Sequence, residues 1–294
     1  MSIIKLLPID VANQIAAGEV VQRPSSVVKE LLENSVDSKS KTIKLIIKDA
    51  GKTLIQVIDD GCGMSKKDLD ICHIRHSTSK ISKSEDLFNL KTMGFRGEAL
   101  SSIASVSHIT IISNKDTIND LGNEILINGG DVISKKEALI KKGTSISVKN
   151  LFYNIPARRN FLKSDKVELR HIIDEFHRVA LINYNINFIF INNGSEIFNL
   201  KKAIYRERII RIFGKSTLEK LVPINESTEF AGIKGFVFKP EFSKKTRATQ
   251  FFFVNKRYVK NSHLNHAVKA AYEGLIFDNY KPSYFLCFDV PVNS

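Results

Sequence analysis

The sequence predicts an α/β protein, because segments with a helical pattern alternate along the chain with segments that have a strand pattern. Residues 24–36 place apolar side chains on one side of a helix and polar side chains on the other. Residues 41–48 and 52–59 form two strand-like runs that are joined by a turn at Gly51. With 294 residues, the chain is long enough for two domains.

The other elements follow in chain order. Residues 1–22 predict an arm that is only partly helical, and Pro24 favours a helix start because its fixed φ suits the first turn. Residues 77–91 are rich in Ser, Thr and Lys and lack a clear period, so we expect a loop there. Further helices are predicted at residues 66–74, 99–104, 168–181 and 263–272, and further strands at 108–113, 124–127, 144–149, 233–239 and 250–254.

Charge and composition restrict the class of protein. The 44 Lys and Arg residues exceed the 31 Asp and Glu residues, and the net charge of +13 favours a polyanionic partner such as DNA. No apolar run approaches the roughly 20 residues that a membrane span needs, and residues 1–18 do not resemble a secretory signal. The three cysteines lack framework spacing, which indicates reduced thiols. We therefore expect a cytoplasmic protein without a membrane partner.

Three polar residues form one stripe on the helix that begins at Pro24. Glu30 and Asn34 are one helical turn apart, and Asp37 continues the same face. A carboxylate can take a proton from water, and an amide oxygen is a hard ligand for Mg²⁺. A solvated helix face remains the alternative explanation when the stripe is considered alone.

Two segments that contain glycine follow this stripe. Asp59 ends the second predicted strand, and Gly61 and Gly63 after it permit a close approach of backbone to a ligand. An ordinary Asx turn before glycine is the alternative for this aspartate. Residues 94–97 (Gly-Phe-Arg-Gly) precede the helix predicted at 99–104, and the N–H groups at a helix N-terminus favour phosphate.

The order and spacing of these segments resemble the GHKL superfamily of ATPases, which includes gyrase B, the heat-shock chaperone and histidine kinases. Within it, the chain resembles the ATPase region of the MutL family of DNA mismatch-repair proteins. Three segments carry this narrower resemblance: residues 12–20 (Ala-Asn-Gln-Ile-Ala-Ala-Gly-Glu-Val), 94–100 (Gly-Phe-Arg-Gly-Glu-Ala-Leu) and 152–159 (Phe-Tyr-Asn-Ile-Pro-Ala-Arg-Arg). The similarity is dense up to about residue 162 and thin afterwards.

The resemblance implies a GHKL (Bergerat-type) ATP-binding domain with a mixed sheet backed by helices, followed by a smaller α/β domain with a left-handed crossover. The composition turns charged around residues 200–208, so we assign residues 1–205 to the first domain and 206–294 to the second. We expect the second domain to be incomplete at its C-terminal end. The family's lysine that reaches the γ-phosphate and its dimerisation domain would follow. Loss of the lysine is expected to weaken hydrolysis, and loss of that domain is expected to remove the constitutive dimer contact and any endonuclease site.

The resemblance also implies roles for individual residues at a Mg·ATP site. Glu30 is the expected general base for the attacking water, and Asn34 is the expected ligand of Mg²⁺. Asp59 is expected to accept a hydrogen bond from the exocyclic amine of adenine, which guanine cannot donate. Asp60 stands where the family usually has Asn, which adds negative charge beside the nucleotide. The other implied ATP contacts are Gly61, Gly63, Thr78, Ser79, Lys80, Gly94, Phe95, Arg96, Gly97 and Thr144.

Several of these assignments have alternatives. The resemblance makes residues 77–91 a lid with Lys80 near the phosphates, and a solvated polar loop is the alternative. For Thr144, implied as the second adenine contact, a plain strand start is the alternative. Residues 37–40 (Asp-Ser-Lys-Ser) depart from the small Ala-Gly sequence that is usual in the family. We discount a zinc site, because the nearby cysteines and histidines fit no standard finger spacing. These residues are Cys62, Cys72, His73 and His76.

Two basic clusters are candidates for contact with DNA. The first follows Pro156, and the second lies beside aromatic side chains at residues 251–253 and Tyr258. Basic residues interleaved with aromatic ones suit a nucleic-acid backbone. The phenylalanines can equally pack a domain core, and the basic residues can be solvated surface. The candidate DNA contacts are Arg158, Arg159, Lys163, Lys256 and Arg257.

These predictions together describe an ATP-dependent switch of DNA mismatch repair, in which slow ATP hydrolysis accompanies dimerisation of the N-terminal region and engagement of DNA. The expected cofactors are ATP and Mg²⁺, and the expected place is the bacterial cytoplasm at the nucleoid. The expected partners are DNA, a MutS-type mismatch sensor, the nicking endonuclease and helicase of repair, and a second copy of the chain. Another GHKL enzyme, or a scaffolding or DNA-binding fragment without hydrolysis, remains the alternative; residues 152–159 argue against the first.

Overall fold

The computed structural model describes residues 5, 7–81, 83, 85–86, 92–94, 97–229 and 231–291. Two of the predicted ATP contacts, Phe95 and Arg96, lie outside the described residues. The chain forms two compact units. The first comprises the residues up to His177 with Asn185–Lys201, and the second comprises Arg178–Tyr184 with the residues from Lys202 onwards. Within the described ranges, no helix has both the length and the apolar character for a membrane crossing.

The first unit is built on a mixed sheet of eight strands. In chain order these are β1 (Thr42–Lys48), β2 (Leu54–Asp59), β3 (His108–Asn114), β4 (Leu121–Asn128), β5 (Asp131–Leu139), β6 (Gly143–Lys149), β7 (Asn187–Asn192) and β8 (Ser195–Leu200). Their spatial order is β5-β4-β3-β6-β2-β1-β7-β8. The β1 and β7 strands pair in parallel, and the other neighbours pair antiparallel. Ile43, Leu45 and Ile47 are fully buried, as the alternation along β1 predicts.

Helices accompany this sheet, and each overlaps a segment predicted to be helical except the one at residues 156–161, which was not predicted. They are α1 (Ile9–Val20), α2 (Pro24–Asp37), α3 (Lys66–Ile71), α4 (Ala99–Ser105), α5 (Pro156–Phe161) and α6 (Asp165–Ile182). The α2 helix begins at Pro24, as predicted, and packs against β1 and β2. Its apolar side, including Val28, Leu31 and Leu32, is buried, so its polar side faces away from the core.

The second unit contains a smaller sheet of five strands. Its elements are α7 (Tyr205–Phe213), β9 (Leu221–Ser227), β10 (Gly232–Phe238), β11 (Gln250–Val254), β12 (Arg257–Val259), α8 (Ser262–Ala271) and β13 (Tyr284–Asp289). The strand order is β12-β11-β13-β10-β9, and β11 and β13 are parallel. Leu264 and Val268 of α8 pack against a core of Phe252, Tyr284 and Leu286. The two mixed units confirm the predicted α/β class, whereas the left hand of the crossover from β11 to β13 stays a prediction.

Candidate functional site

The predicted polar stripe lies on the half-buried side of α2. The Lys29 ammonium donates a hydrogen bond to Glu30 Oε1 at 3.1 Å and lies 3.6 Å from Glu33 Oε2. Burial raises the pKa of the Glu33 carboxyl to about 7, while Lys29 opposes this shift and the carboxylates of Glu30 and Asp37 add to it. Glu33, whose pKa is raised towards neutral pH, therefore stands beside the predicted general base, and no sequence pattern indicated this shift.

Lys80 joins the loop after α3 to the same stripe. Its ammonium donates to Asn34 Oδ1 at 2.9 Å and to Asp37 Oδ2 at 2.5 Å. The lysine and aspartate side chains are only 18% and 8% exposed, so solvent screens this ion pair weakly. Two side-chain oxygens from α2 thus contact the Lys80 ammonium. Amide and carboxylate oxygens are also suitable ligands for a hard divalent cation.

The glycine segment meets this cluster at Asp37. The backbone N–H of Met93 donates to Asp37 Oδ1 at 2.9 Å, and the N–H of Gly94 donates to Oδ2 at 3.1 Å. A Cβ on Gly94 would lie 3.1 Å from the Lys80 ammonium, so a side chain there would press on the ion pair. The structure therefore brings together Asn34, Lys80 and Gly94 as predicted for one site, and it adds Asp37, which the predicted contacts omit.

The remaining loop residues are placed around this cluster by the backbone. The Lys80 N–H donates to Thr78 Oγ1 at 3.2 Å, whereas Ser79 is exposed. Gly97 has a φ of 63°, and a Cβ there would lie 2.6 Å from the carbonyl oxygen of Ser77. A larger residue would therefore be strained and would collide with the loop.

Asp59, Thr144 and Ser113 lie side by side on three neighbouring strands. Asp59 at the end of β2 is in register with Thr144 of β6, and Thr144 is in register with Ser113 of β3. Residues in register on neighbouring strands present their side chains to the same face. The hydroxyl oxygens of Ser113 and Thr144 are 2.9 Å apart. The sheet thus places the predicted second adenine contact directly beside the predicted first.

The Asp59 carboxylate accepts hydrogen bonds from a ring of donors. Ser35 Oγ donates to Oδ2 at 2.8 Å, and the N–H of Gly61 donates to Oδ1 at 2.9 Å. The hydroxyls of Ser40 and Ser38 lie 3.1 Å and 3.3 Å from Oδ1. Burial raises the pKa of the Asp59 carboxyl, and these hydrogen bonds oppose the rise. The sequence alone did not identify Ser35, Ser38 and Ser40 as neighbours of Asp59, although residues 37–40 depart from the sequence that is usual in the family.

The glycines after Asp59 have a structural reason in addition to the close approach of a ligand that the sequence suggested. A Cβ on Gly61 would overlap the hydroxyl of Ser38. Gly63 has a φ of 66°, and a Cβ on it would overlap the carbonyl oxygen of Asn114. The chain's own atoms therefore require glycine at both positions, whether or not a ligand approaches.

The charge of Asp60 is satisfied by the backbone. Its Oδ1 accepts hydrogen bonds from the N–H groups of Lys41 at 2.7 Å and Thr42 at 2.8 Å, at the start of β1. This task needs only an acceptor, which a carboxylate supplies at least as well as the amide oxygen of the family's usual Asn. The substitution is therefore compatible with the local structure.

The first basic cluster is divided between inward and outward side chains. A Cβ on Gly18 would overlap the guanidinium of Arg158, whose Nη1 is buried and has no hydrogen-bond partner among the described residues. Arg159 and Lys163 are exposed. Arg158 thus packs towards α1, which leaves the other two as the better-placed candidates for DNA.

The second basic cluster borders packed aromatic rings. Phe252 and Phe253 are buried in the second unit, which favours the alternative that the phenylalanines form its core. Lys256 is exposed and Arg257 is half-buried.

In the ranges that the structure describes, no group of three or more His, Cys, Asp and Glu side chains could hold a metal ion.

Two family models match the chain. Residues 22–156 match the model described as histidine kinase-, DNA gyrase B-, and HSP90-like ATPase. Residues 209–294 match the model described as DNA mismatch repair protein, C-terminal domain. The first match includes the whole candidate site from Glu30 to Thr144.

Known proteins are similar to nearly the whole chain. The DNA mismatch repair protein MutL of Flavobacterium johnsoniae is 61% identical over 100% of this chain, and that of Flavobacterium psychrophilum is 60% identical over 99%. The chain spans 45% and 47% of these two relatives, which is about half of their length. The Aquifex aeolicus MutL ATPase domain in complex with ADP is 26% identical with a TM-score of 0.71, covering 92% of this chain and 93% of that one. The N-terminal domain of a DNA repair protein is 26% identical with a TM-score of 0.81, covering 96% and 87%.

Proposed function

The chain belongs to the MutL family of DNA mismatch-repair proteins, and we propose that it binds Mg·ATP at the candidate site and hydrolyses it slowly. One observation carries the proposal. The Ser35 hydroxyl on α2 donates to Asp59 on β2, so the helix with the polar stripe is fastened to the strand that carries the predicted adenine contact. The similar Aquifex aeolicus domain was solved with ADP, which supports a nucleotide at this fold.

Asp59 would recognise the base. An ionised carboxylate only accepts hydrogen bonds, and the exocyclic amine of adenine is a donor. Guanine would present an oxygen at the same place and leave the ligand-facing acceptor position of the carboxylate unpaired, which costs about 1–3 kcal/mol. Thr144 in the neighbouring register position would supply a second polar contact on the same face.

The α2 stripe would serve the phosphates. Bound Mg²⁺ would neutralise charge on the phosphate oxygens, and Asn34 Oδ1 fits it as a hard ligand. Lys80 would pass from Asn34 and Asp37 to the phosphate oxygens, which are stronger acceptors of its charge. We keep Gly61, Gly63, Thr78, Ser79, Phe95, Arg96 and Gly97 as proposed nucleotide contacts.

Glu30 would orient the attacking water and accept its proton. The Lys29 ammonium at 3.1 Å would hold the carboxylate in a fixed direction. We expect hydrolysis to be slow, because the nucleotide mainly orders the segments around it and thereby switches the protein between states.

The role in the cell is also a proposal. Nucleotide binding would promote dimerisation of the N-terminal region, in which residues 1–205 form the first domain and residues 206–294 the second. It would also promote engagement of DNA in mismatch repair. A MutS-type sensor, the nicking endonuclease and the helicase would be its partners at the nucleoid. The exposed Arg159, Lys163 and Lys256 are the preferred DNA contacts, and Arg158 and Arg257 rank below them because they are partly buried.

Calorimetry with Mg·ATP and single-turnover hydrolysis test this function together. We expect Glu30→Ala to bind ATP nearly as tightly as the wild type but to cleave it at least about 100-fold more slowly. Glu137→Ala, which removes an exposed carboxylate on β5, serves as the matched control and should behave as the wild type. Absence of ATP binding by the wild type would reject the proposal. Equal cleavage by wild type and Glu30→Ala would remove Glu30 from its role, and binding without cleavage by the wild type would favour the scaffold.

A further inference from the structure

The turn between α2 and β1 carries two serines that reach the predicted adenine contact. Ser38 and Ser40 lie within 2.8 Å of each other through their hydroxyl oxygens, and both lie within 3.3 Å of Asp59 Oδ1. Ser40 is only 4% exposed. Residues 37–40 are also the segment that departs from the small Ala-Gly sequence usual in the family.

Ser38 and Ser40 have fewer hydroxyl protons than there are acceptor atoms near them, so not every short contact can be a hydrogen bond at once. Each serine has one hydroxyl proton, and Ser38 also lies 2.8 Å from the carbonyl oxygen of Ser35. Hydrogen bonds to a charged acceptor are the stronger ones. At least one of the two protons is therefore directed to Asp59 Oδ1, while the other connects the two serines or caps the end of α2.

One lone pair of the Asp59 carboxylate is left without a donor among the described residues. A carboxylate offers about four lone pairs. Oδ1 of Asp59 takes the Gly61 N–H and one hydroxyl of the serine pair, and Oδ2 takes the Ser35 hydroxyl. The remaining lone pair is on Oδ2, which suits a single N–H donor.

We propose that Ser38 and Ser40 are positioning residues for base selection, which saturate Oδ1 of Asp59 so that the carboxylate presents one acceptor, on Oδ2, to the exocyclic amine of adenine. This proposal rests on the proposed function, since it concerns the base of the bound nucleotide. The pair does not touch the base itself. It acts by keeping the buried carboxylate hydrogen-bonded and in one orientation.

The loss of both hydroxyls should weaken selection for the amine, and the loss of one should weaken it less, because the remaining hydroxyl can still donate to Asp59 Oδ1. An unsatisfied Oδ1 in a buried place favours rotation of the carboxylate or its protonation, since burial already raises the pKa of Asp59. A protonated carboxyl would be a donor, and a donor no longer discriminates against a base that presents an oxygen. A merely structural role of the turn would instead weaken all nucleotides alike.

The test compares two ligands that differ only at the amine. The affinities of the 294-residue chain for ATP and for purine riboside triphosphate, which has hydrogen in place of the amine, are measured with Mg²⁺ by calorimetry. We expect the double variant Ser38→Ala/Ser40→Ala to weaken the affinity for ATP about five- to tenfold and that for the analogue less than about twofold, and we expect each single variant to show the same preference with a smaller loss. The control Ser105→Ala also removes a buried hydroxyl, which donates to Ser102 in α4, and it should affect both ligands alike.

Each outcome separates the inference from the function beneath it. An equal loss of both ligands in the double variant, or no loss of either, would overturn the role of the pair while ATP binding stands. Failure of the wild type to bind ATP would overturn the proposed function and the inference with it. Equal affinity of the wild type for ATP and the analogue would overturn the inference and the recognition of the base by Asp59, while ATP binding stands. If the double variant does not fold in a thermal scan, the two single variants carry the comparison with a smaller expected loss, because each variant is its own reference between the two ligands.

Discussion

The two ends of the candidate site are built in different ways. The base end is the set of residues around the predicted adenine contact: Asp59, Thr144, Ser113, Ser35, Ser38 and Ser40. The phosphate end is the set on and beside the polar stripe of α2: Glu30, Asn34, Asp37, Lys80 and Gly94. At the base end, neighbouring strands fix the register, and uncharged donors surround one carboxylate. At the phosphate end, a helix and a loop meet through an ion pair.

This difference predicts different responses to a ligand. The base end needs no rearrangement to accept one N–H, because its strands and hydroxyls are already in place. The phosphate end must exchange the contacts of Lys80 with Asn34 and Asp37 for contacts with a ligand. Binding energy should therefore depend most on the base end, and the conformational response should arise at the phosphate end.

The largest effect is expected from Asp59→Asn. The amide would direct an N–H towards donors that already surround this position, so we expect the affinity for Mg·ATP to fall about 100-fold, or about 3 kcal/mol. Calorimetry measures this change. Asp60→Asn is the matched control, because its acceptor role towards Lys41 and Thr42 survives the substitution. A larger loss in the control than in Asp59→Asn would contradict the assignment of the base end.

The next effect concerns Lys80→Ala at the phosphate end. Without the ammonium, Asp37 keeps the N–H groups of Met93 and Gly94 as its donors among the described residues, and we expect the free energy of unfolding to fall by about 1–2 kcal/mol. Mg²⁺ alone should then stabilise the variant, since a cation site has been vacated, but should leave the wild type unchanged. Urea unfolding with and without Mg²⁺ measures both.

A matched control separates this effect from a general loss of charge. Lys67→Ala removes an exposed lysine on α3 and should change neither the stability nor the response to Mg²⁺. If Mg²⁺ stabilises the wild type and Lys80→Ala equally, the ammonium does not occupy the place of the cation.

A smaller effect, with a defined dependence on pH, is expected from Glu33→Gln. The pKa of Glu33 is raised from 4.5 to about 7, so the folded state retains a proton that the unfolded state has lost. The stabilising contribution is complete below pH 4.5 and is lost as the pH rises through 7. We therefore expect Glu33→Gln to gain about 1 kcal/mol relative to the wild type between pH 6 and pH 8. Urea unfolding at the two pH values checks this sign, and a relative loss would show that Lys29 dominates.

The sequence was most informative where a local pattern determines structure. Pro24 and the apolar side of α2 determined the helix and its polar stripe, and the alternation in residues 42–48 determined which side of β1 is buried. The β5 strand was missed, because almost all of its side chains are exposed and no apolar alternation marks it. The pairing of β5 with β4 is made by backbone hydrogen bonds, which the pattern of side chains along β5 does not indicate.

Long-range neighbours limited the prediction of the site. No local pattern in the sequence places Thr144 beside Asp59, because that contact depends on the antiparallel pairing of β2 and β6. Family resemblance supplied this neighbour. Neither a local pattern nor the family resemblance predicted the contact of Ser38 and Ser40 with Asp59, because that contact depends on how β1 and β2 pair.

The smallest effect is expected in the turn that carries this serine pair. Lys39 is exposed and has a φ of 62°, a left-handed conformation that costs a residue with a side chain about 1–2 kcal/mol. It follows the end of α2, with its N–H bonded to the Val36 carbonyl, which is a position that favours glycine. Lys39→Gly should therefore raise the free energy of unfolding by about 0.5–1 kcal/mol, after the entropy that glycine adds to the unfolded chain.

Lys48→Gly is the control for Lys39→Gly, because it removes the same exposed side chain from an extended residue with a φ of −125°. It should lower the free energy of unfolding by about 0.5–1 kcal/mol. The affinity for Mg·ATP should be unchanged in Lys39→Gly, since the strain is in the backbone and the hydroxyls of Ser38 and Ser40 remain. A loss of affinity together with a gain of stability would mean that the strained turn itself holds the serine pair against Asp59, and the base end would then depend on backbone strain as well as on strand register.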